Sequence, residues 1–375
     1  MVLYLDNSAT TQVLPEVKDA MLPYLFEEFG NPSSKFYSLA ENAKNVVKES
    51  RDAVAQLLGC TSKEVIFTSG ATESNNMIIK GVADYYSEER GNHIVTTKTE
   101  HPAVLETCKY LENKGFRVTY LDVDQYGRIN IKDIEDIIKN DPPLLISIIW
   151  GNNEVGSLNP ITEIATLCEE NDIFFHTDAT QVIGKVDFNL DDLRGVRFLS
   201  CSSHKVHGPK GIGTAVIRRD ELDIPTKITP LLHGGSQEDG YRSGTLAVHN
   251  IVGFGKAAKL TNDNLPNNIE RLGELENELT NILNKKFGHN IVFNHDYKDK
   301  IPGILSVNFK GVNNELLMKN LAPYVAVSTG SACSSGKPSH VLEAMGYSID
   351  EIRSTIRLSL SPTTTKEELK VFNQL

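Results

Sequence analysis

The chain has 375 residues, 40% of them hydrophobic and 23% charged, with a mean hydropathy of −0.25 and a formal net charge of −11. Single cores stop growing near roughly 250–300 residues, so two domains are expected. The acidic balance argues against nucleic acid or an anionic membrane as the main partner, while leaving room for a local basic pocket that holds a phosphate. Five cysteines (Cys60, Cys108, Cys168, Cys201 and Cys333) are widely spread with no CxxC pair. That pattern fits neither a disulfide framework nor a zinc site, and no metal is expected. The opening MVLYLDNSATT has neither the basic region nor the apolar run of a signal peptide. The longest apolar run, Leu144–Trp150 with one serine inside, is far short of the ~20 residues of a membrane span, so a cytoplasmic location is expected.

From about residue 15 to 260, short apolar runs alternate with amphipathic stretches. Glu64–Thr68, His93–Thr97, Leu144–Trp150, Ile173–His176 and Val196–Cys201 read as buried strands. Thr72–Tyr85, Pro102–Asn113 and Ile161–Asn171 place apolar residues three and four apart, as helices do. The alternation predicts an α/β domain with a mostly parallel sheet, whose ligands sit at the C-terminal strand ends. Near Asn262 the texture changes. Leu265, Ile269, Leu272, Leu275, Leu279 and Ile282 mark one long amphipathic helix ended by Gly288. Strand-like Ile291–Phe293 and Gly303–Phe309, a helix near Asn314–Leu321 and strand-like Tyr324–Ser328 follow, which predicts a smaller α+β domain. The expected division is 15–260 for the large domain, with 1–14 and 261–375 forming the small one.

Three segments carry candidate chemistry. Thr68–Asn76 (TSGATESNN) follows a strand and opens a helix, where small residues and the positive helix end suit a phosphate. An ordinary capped strand–helix turn explains that segment equally well. Asp178, in HTDATQ at the end of the IFFH strand, is costly to bury unless it meets a cation or accepts several hydrogen bonds. Alone it reads as a loop cap. Lys205, in SSHKVHGPKG just past another strand, could form a Schiff base if its amine is neutral. Alone it reads as a surface lysine. Together the three supply a phosphate cradle, an acid for a pyridine nitrogen and an amine for an aldehyde, which are the needs of pyridoxal 5′-phosphate (PLP).

With GNPSS (Gly30–Ser34), TEHPAV, NNEVG, GGSQEDGYRSGT (Gly234–Thr245) and STGSACSS (Ser328–Ser335), these segments resemble the cysteine desulfurases of the nitrogen-fixation and iron–sulfur-cluster type. Those are class V aminotransferase-like, fold-type-I PLP enzymes, and the resemblance covers almost the whole chain. It implies that Lys205 carries PLP as a Schiff base and shuttles the proton at the substrate α-carbon. Asp178 would pair with the pyridinium nitrogen and Gln181 with the ring's 3-oxygen. Ala71, Thr72, Ser202 and His204 would hold the phosphate. Thr245 would reach the phosphate from the other subunit of a homodimer with shared active sites. His101 would stack on the ring and act in proton transfer, and Asn153 and Arg357 would take the substrate carboxylate. Cys333, among small polar residues, would be the mobile thiolate that takes sulfur from L-cysteine as a persulfide, releasing alanine, and passes it to a protein acceptor. The other four cysteines read as packed small residues.

Some positions depart from the family pattern. Tyr37 and Ala40 stand where relatives usually have histidine and glycine, so the N-terminal loop is expected to pack differently. Asn159 and Ser361-Pro362 also differ, away from the expected chemistry. The Cys333–Pro338 stretch is about two residues shorter than usual, or roughly 7 Å of reach. The sequence also stops at Leu375, before a C-terminal helical region that relatives use in docking, so altered binding to an iron–sulfur scaffold is expected. A selenocysteine lyase, another class V enzyme such as an aminotransferase, and a sulfur-relay subunit active only in a larger assembly are the competing readings. Iron–sulfur assembly, tRNA thiolation, cofactor biosynthesis and DNA sulfur modification remain open as destinations of the sulfur.

Overall fold

The computed structural model describes residues 2–330 and 338–373. A short first strand, β1 (Leu3–Tyr4), precedes a seven-stranded sheet of β2 (Val65–Thr68), β3 (His93–Thr97), β4 (Arg117–Leu121), β5 (Leu145–Ile149), β6 (Phe174–Asp178), β7 (Phe198–Ser202) and β8 (Gly213–Ile217). Their order is β2-β8-β7-β6-β5-β3-β4. The pairs from β4 through to β7 are parallel, while β8 runs antiparallel to both β7 and β2. The mostly parallel sheet predicted from the alternating pattern is therefore present.

Strands β2, β3, β5, β7 and β8 are buried along their whole length, which is why they are near-continuous apolar or small-residue runs. Successive residues pack into different cores on the two faces. Phe67, Val95 and Ile148 join Val54, Leu58, Phe175 and Phe254 on one side. Ile66, Ile94 and Leu145 join Met77, Ile78, Val104 and Phe198 on the other. Two strands of this sheet had no sequence expectation. β4 lies at the sheet edge with a polar, part-exposed face, and β8 follows the glycine-rich GPKGIG segment.

The helices fall close to expectation at Ala71–Arg90, Pro102–Glu112 and Ile161–Glu170. The first continues past Tyr85 until Gly91, at φ 86°, turns the chain away. The long helix spans Leu265–Phe287 and ends at Gly288, with φ 50°. It buries Leu272, Leu275 and Leu279 against Leu305, Val307 and Leu358. Each such leucine contributes about 1.5–3 kcal/mol of apolar burial. A second sheet, antiparallel, consists of β9 (Ile291–Phe293), β10 (Ile304–Phe309) and a late strand, and β11 (Val325–Ala326) pairs separately in parallel with β1. The late strand is β12 (Thr355–Ser359), which pairs with β10. Within the expected Tyr324–Ser328 strand only Val325–Ala326 form a ladder, and Ser328 makes an isolated bridge to Arg357. No described helix is long and apolar enough to cross a membrane.

Candidate active site

A cavity of about 560 Å³ opens where β2, β5, β6 and β7 end. The volume falls within the roughly 300–1,000 Å³ of small-molecule sites, and the position is where parallel sheets hold ligands. Ala71, Thr72, His101, Asn153, Asp178, Gln181, Ser202, His204, Lys205 and Arg357 all line it. Residues from 71 to 357 are thus brought to one place.

At the phosphate-like turn, Gly70 has φ 150° and ψ 175°, a conformation that favours glycine. The first helical bond runs from Ser74 N–H to Gly70 O at 3.1 Å. The N–H groups of Ala71 and Thr72 therefore stand outside the helix's own ladder, at its positive end. A Cβ on Gly213 would lie 2.7 Å from Gly70 Cα and 2.5 Å from Cys201 O, so a glycine there lets β8 close on the turn. Ser202 ends β7 beside the turn. His204 follows it, with Nδ1 3.1 Å from Thr10 Oγ1. Burial, reinforced by the positive charges of Lys205, Lys210 and Lys185, drops the His204 pKa to about 4. The ring is neutral at pH 7.

Asp178 ends β6 and is 4% exposed. Its Oδ2 accepts from Asn75 Nδ2 at 2.7 Å, and its Oδ1 accepts from the Thr180 N–H at 3.0 Å. Two residues earlier, His176 spans Ser147 Oγ (2.8 Å) and Ser200 Oγ (3.0 Å) across three adjacent strands. Burial lowers its pKa to about 4. Lys205 lies in the single turn after β7, and its Nζ donates to the carbonyls of Ser8 (2.6 Å) and Ala9 (2.8 Å). The LDNSATT segment thus forms a wall of the cavity.

His101 caps the Pro102–Glu112 helix, its Nδ1 accepting from the Ala103 N–H at 3.1 Å. The proton of the neutral ring is accordingly on Nε2. Burial pulls the pKa of His101 down, Asp178 opposes this, and Lys205 and His340 add to it. Arg357, on β12, is 2% exposed and donates through Nη1 to Asn153 O (2.9 Å) and through Nη2 to Asp6 Oδ1 (2.6 Å). Thr245, expected to serve the other subunit's phosphate, is exposed and is not among the residues lining this cavity. Cys333 lies outside the described residues. Of the other cysteines, Cys108, Cys168 and Cys201 are buried and Cys60 is half-buried. Burial pushes the Cys108 and Cys168 thiols up to about 12, the behaviour of packed rather than reactive groups. Among the described residues no group of three or more His, Cys, Asp or Glu could hold a metal ion.

Residues 3–372 match the Aminotransferase class-V family. The chain belongs to that family. A cysteine desulfurase IscS of Dictyoglomus turgidum is 44% identical over 370 residues, covering 98% of this chain and 91% of the relative. A solved NifS-like protein superposes with a TM-score of 0.91 at 36% identity, covering 100% of this chain and 98% of that one. A solved SspA in complex with cysteine gives 0.84 at 37% identity, covering 97% and 100%.

Class-V enzymes are PLP-dependent, and the cavity of this family member fits that cofactor. It pairs unladdered helix N–H groups with a buried carboxylate and an amine. Ser8 Oγ and Thr180 Oγ1, both in its wall, are buried without a hydrogen-bond partner. Such orphaned groups suit a polar ligand. Four contributors had no sequence expectation: Asp6 against Arg357, Asn75 against Asp178, Lys185 against Gln181, and Glu154, whose Oε2 accepts from Ser339 Oγ at 2.6 Å. Asn75 lay in plain view in FTSGATESNN, four residues past Ala71 and so on the same helix face. Asp6 and Lys185 carried no signal beyond membership of LDNSATT and proximity to HTDATQ.

Proposed function

We propose that this class-V enzyme is a PLP-dependent cysteine desulfurase, converting L-cysteine and the Cys333 thiol to L-alanine and a Cys333 persulfide. The single observation that carries this reading is the convergence of Lys205, Asp178, Arg357 and the Ala71–Thr72 turn on one cavity. The curated relatives' shared name supports the substrate. PLP bound there supplies an electron sink that labilises bonds at the substrate's α-carbon and, through it, the bond to sulfur.

The chain's own residues do the rest. Ala71, Thr72, Ser202 and His204 would hold the phosphate, with neutral His204 able to donate without adding charge. Asp178, fixed by Asn75 and Thr180, would keep a negative charge at the ring nitrogen. Gln181 would donate to the ring's 3-oxygen. Lys205 would anchor the cofactor and move the α-proton, and His101 would relay a proton through Nε2. Arg357, with Asn153 beside it, would take the substrate carboxylate. The Cys333 thiolate attacks the substrate sulfur, forming an S–S bond as the carbon–sulfur bond breaks. A protein acceptor then removes that sulfur.

The protein would work as a homodimer, with Thr245 serving the second protomer's phosphate. Phe26, Phe29 and Phe36 are exposed large apolar side chains, which a second copy would cover. A cytoplasmic location agrees with a persulfide that needs a reducing acceptor pool. The test is to incubate PLP-loaded protein with L-cysteine and a thiol reductant. Alanine and sulfide in equal amounts are expected, with both lost in C333S. Alanine formation that survives C333S, or pyruvate and ammonia in its place, would overturn the reading.

A further inference from the structure

Lys185 is 7% exposed, follows the strand that ends in Asp178, and lies outside the cavity wall. Among the described residues no carboxylate forms an ion pair with it. A buried amine without an anion is costly to keep. What its Nζ does reach is Gln181, donating to Oε1 at 3.2 Å and to the backbone carbonyl at 3.4 Å. Gln181 Nε2 in turn donates to Ser8 O at 2.8 Å, the same carbonyl that accepts from Lys205 Nζ at 2.6 Å.

A primary amide carries its acceptor at one end and its two donors at the other. A lysine ammonium beside Oε1 therefore permits one orientation, with the NH2 turned toward Ser8, Lys205 and the cavity. Remove that donor and only the Ser8 carbonyl opposes a half-turn of the amide, which would offer an oxygen to the cavity instead. An oxygen facing a phenolic oxyanion would repel it.

We propose that Lys185 is a positioning residue that locks the Gln181 amide so that its NH2 is presented as the donor to the 3-oxygen of PLP. This rests on the PLP reading of the cavity. The lock is strict while Lys185 is charged. Burial, with Lys205 and Arg357 as positive neighbours, lowers the Lys185 pKa to about 7, and His204 and His207 face the same charge. The ammonium can only donate, whereas the neutral amine donates but also carries a lone pair able to accept from a turned amide, so above that pKa the Ser8 carbonyl shares in holding the NH2.

The experiment compares wild type, K185M, K185Q, Q181A and the K185M/Q181A double variant. Each is loaded with PLP and read in two ways: the dissociation constant for PLP, and the pH midpoint of the bound cofactor's visible absorption band. K185M is expected to weaken PLP about fivefold, the worth of one hydrogen bond. It should also raise the midpoint by about one pH unit, because the phenolate loses its donor. K185Q, which still donates but carries no charge, should recover most of both effects. In the double variant, K185M should add less than about twofold to Q181A, since it acts through that side chain. Wild-type values in K185M would overturn the proposal. So would K185M and Q181A effects that simply add, or a K185Q as impaired as K185M. If wild type itself takes up no PLP, the cofactor reading fails instead, and the two failures are told apart by that first titration. Should K185M not fold, the K185Q and Q181A spectra decide alone: a K185Q midpoint near wild type supports the lock, and one near Q181A refutes it.

Discussion

Asp6 and Arg357 are 351 positions apart in the sequence, and Arg357 Nη2 donates to Asp6 Oδ1 at 2.6 Å. The pair ties the first segment of the chain to β12. It holds a guanidinium of which 3% is exposed in a fixed plane at the cavity wall, with Nη1 pinned on Asn153 O. D6A leaves that cation buried and half-satisfied, which costs about 3 kcal/mol of stability. Because the fork loses its plane, KM for cysteine should rise about tenfold with a smaller change in kcat. Steady-state kinetics with thermal unfolding of the same preparation check both parts.

Asn75 is fully buried, and its only described side-chain partner is Asp178. N75A should weaken PLP binding about tenfold by freeing that carboxylate, in line with the loss of one charge-assisted hydrogen bond. N75D should be worse, since two buried carboxyl groups side by side cannot both ionise and Asp178 would share a proton. PLP titration of the two cofactor-free variants gives the order directly.

Glu100 is fully buried beside the cavity-lining His101, and its Oε1 accepts from Thr97 Oγ1 (2.9 Å) and the Ile149 N–H (2.8 Å). Burial raises its pKa to about 8, against the help of those donors. The folded protein thus holds this proton more tightly than the unfolded chain. Its contribution to stability is undiminished below the ordinary carboxylate range, falls as pH rises from about 4.5 to 8, and is constant beyond. E100Q should flatten that slope and gain on the order of 3 kcal/mol relative to wild type at pH 8.5. Denaturant unfolding of both proteins at pH 5 and 8.5 measures the difference.

Glu238 accepts from Arg51 Nη1 and from the Phe67 N–H, both at 2.7 Å, and sits at φ 49° in the segment leading to Thr245. Arg242, a few residues on, donates to Glu73 in the first turn of the Ala71–Arg90 helix at 2.8 Å. The segment is therefore clamped on both sides of the phosphate turn. E238A should cost about 3 kcal/mol, because it takes the carboxylate from a part-buried Arg51 and orphans the buried Phe67 N–H together. Loss of that much unfolding free energy in chemical denaturation is the expected reading.

Much of this was legible in the sequence because local periodicity carried it. The long helix followed from six apolar positions and stopped at the glycine expected to stop it. Buried strands such as β5 were continuous apolar runs. β4 was hidden because RVTYL at a sheet edge has no buried run to betray it, and β8 because Gly-Thr-Ala-Val-Ile continues a glycine-rich turn. The cavity-lining residues were found through motifs. Their supports were not, since Asp6 with Arg357 and Asn75 with Asp178 are pairings of distant segments that only the strand order brings together.

Two amines stand near Gln181, the buried Lys185 and the half-buried Lys205, and they separate the central claim sharply. Lys205 lines the cavity, whereas Lys185 stands behind Gln181 with a pKa lowered to about 7. Reducing the PLP-loaded protein with borohydride and mapping the modified peptide by mass spectrometry locates the covalent link. The account predicts a single pyridoxyl group on Lys205 and none in K205A. A label on Lys185, or full labelling that survives K205A, would contradict it.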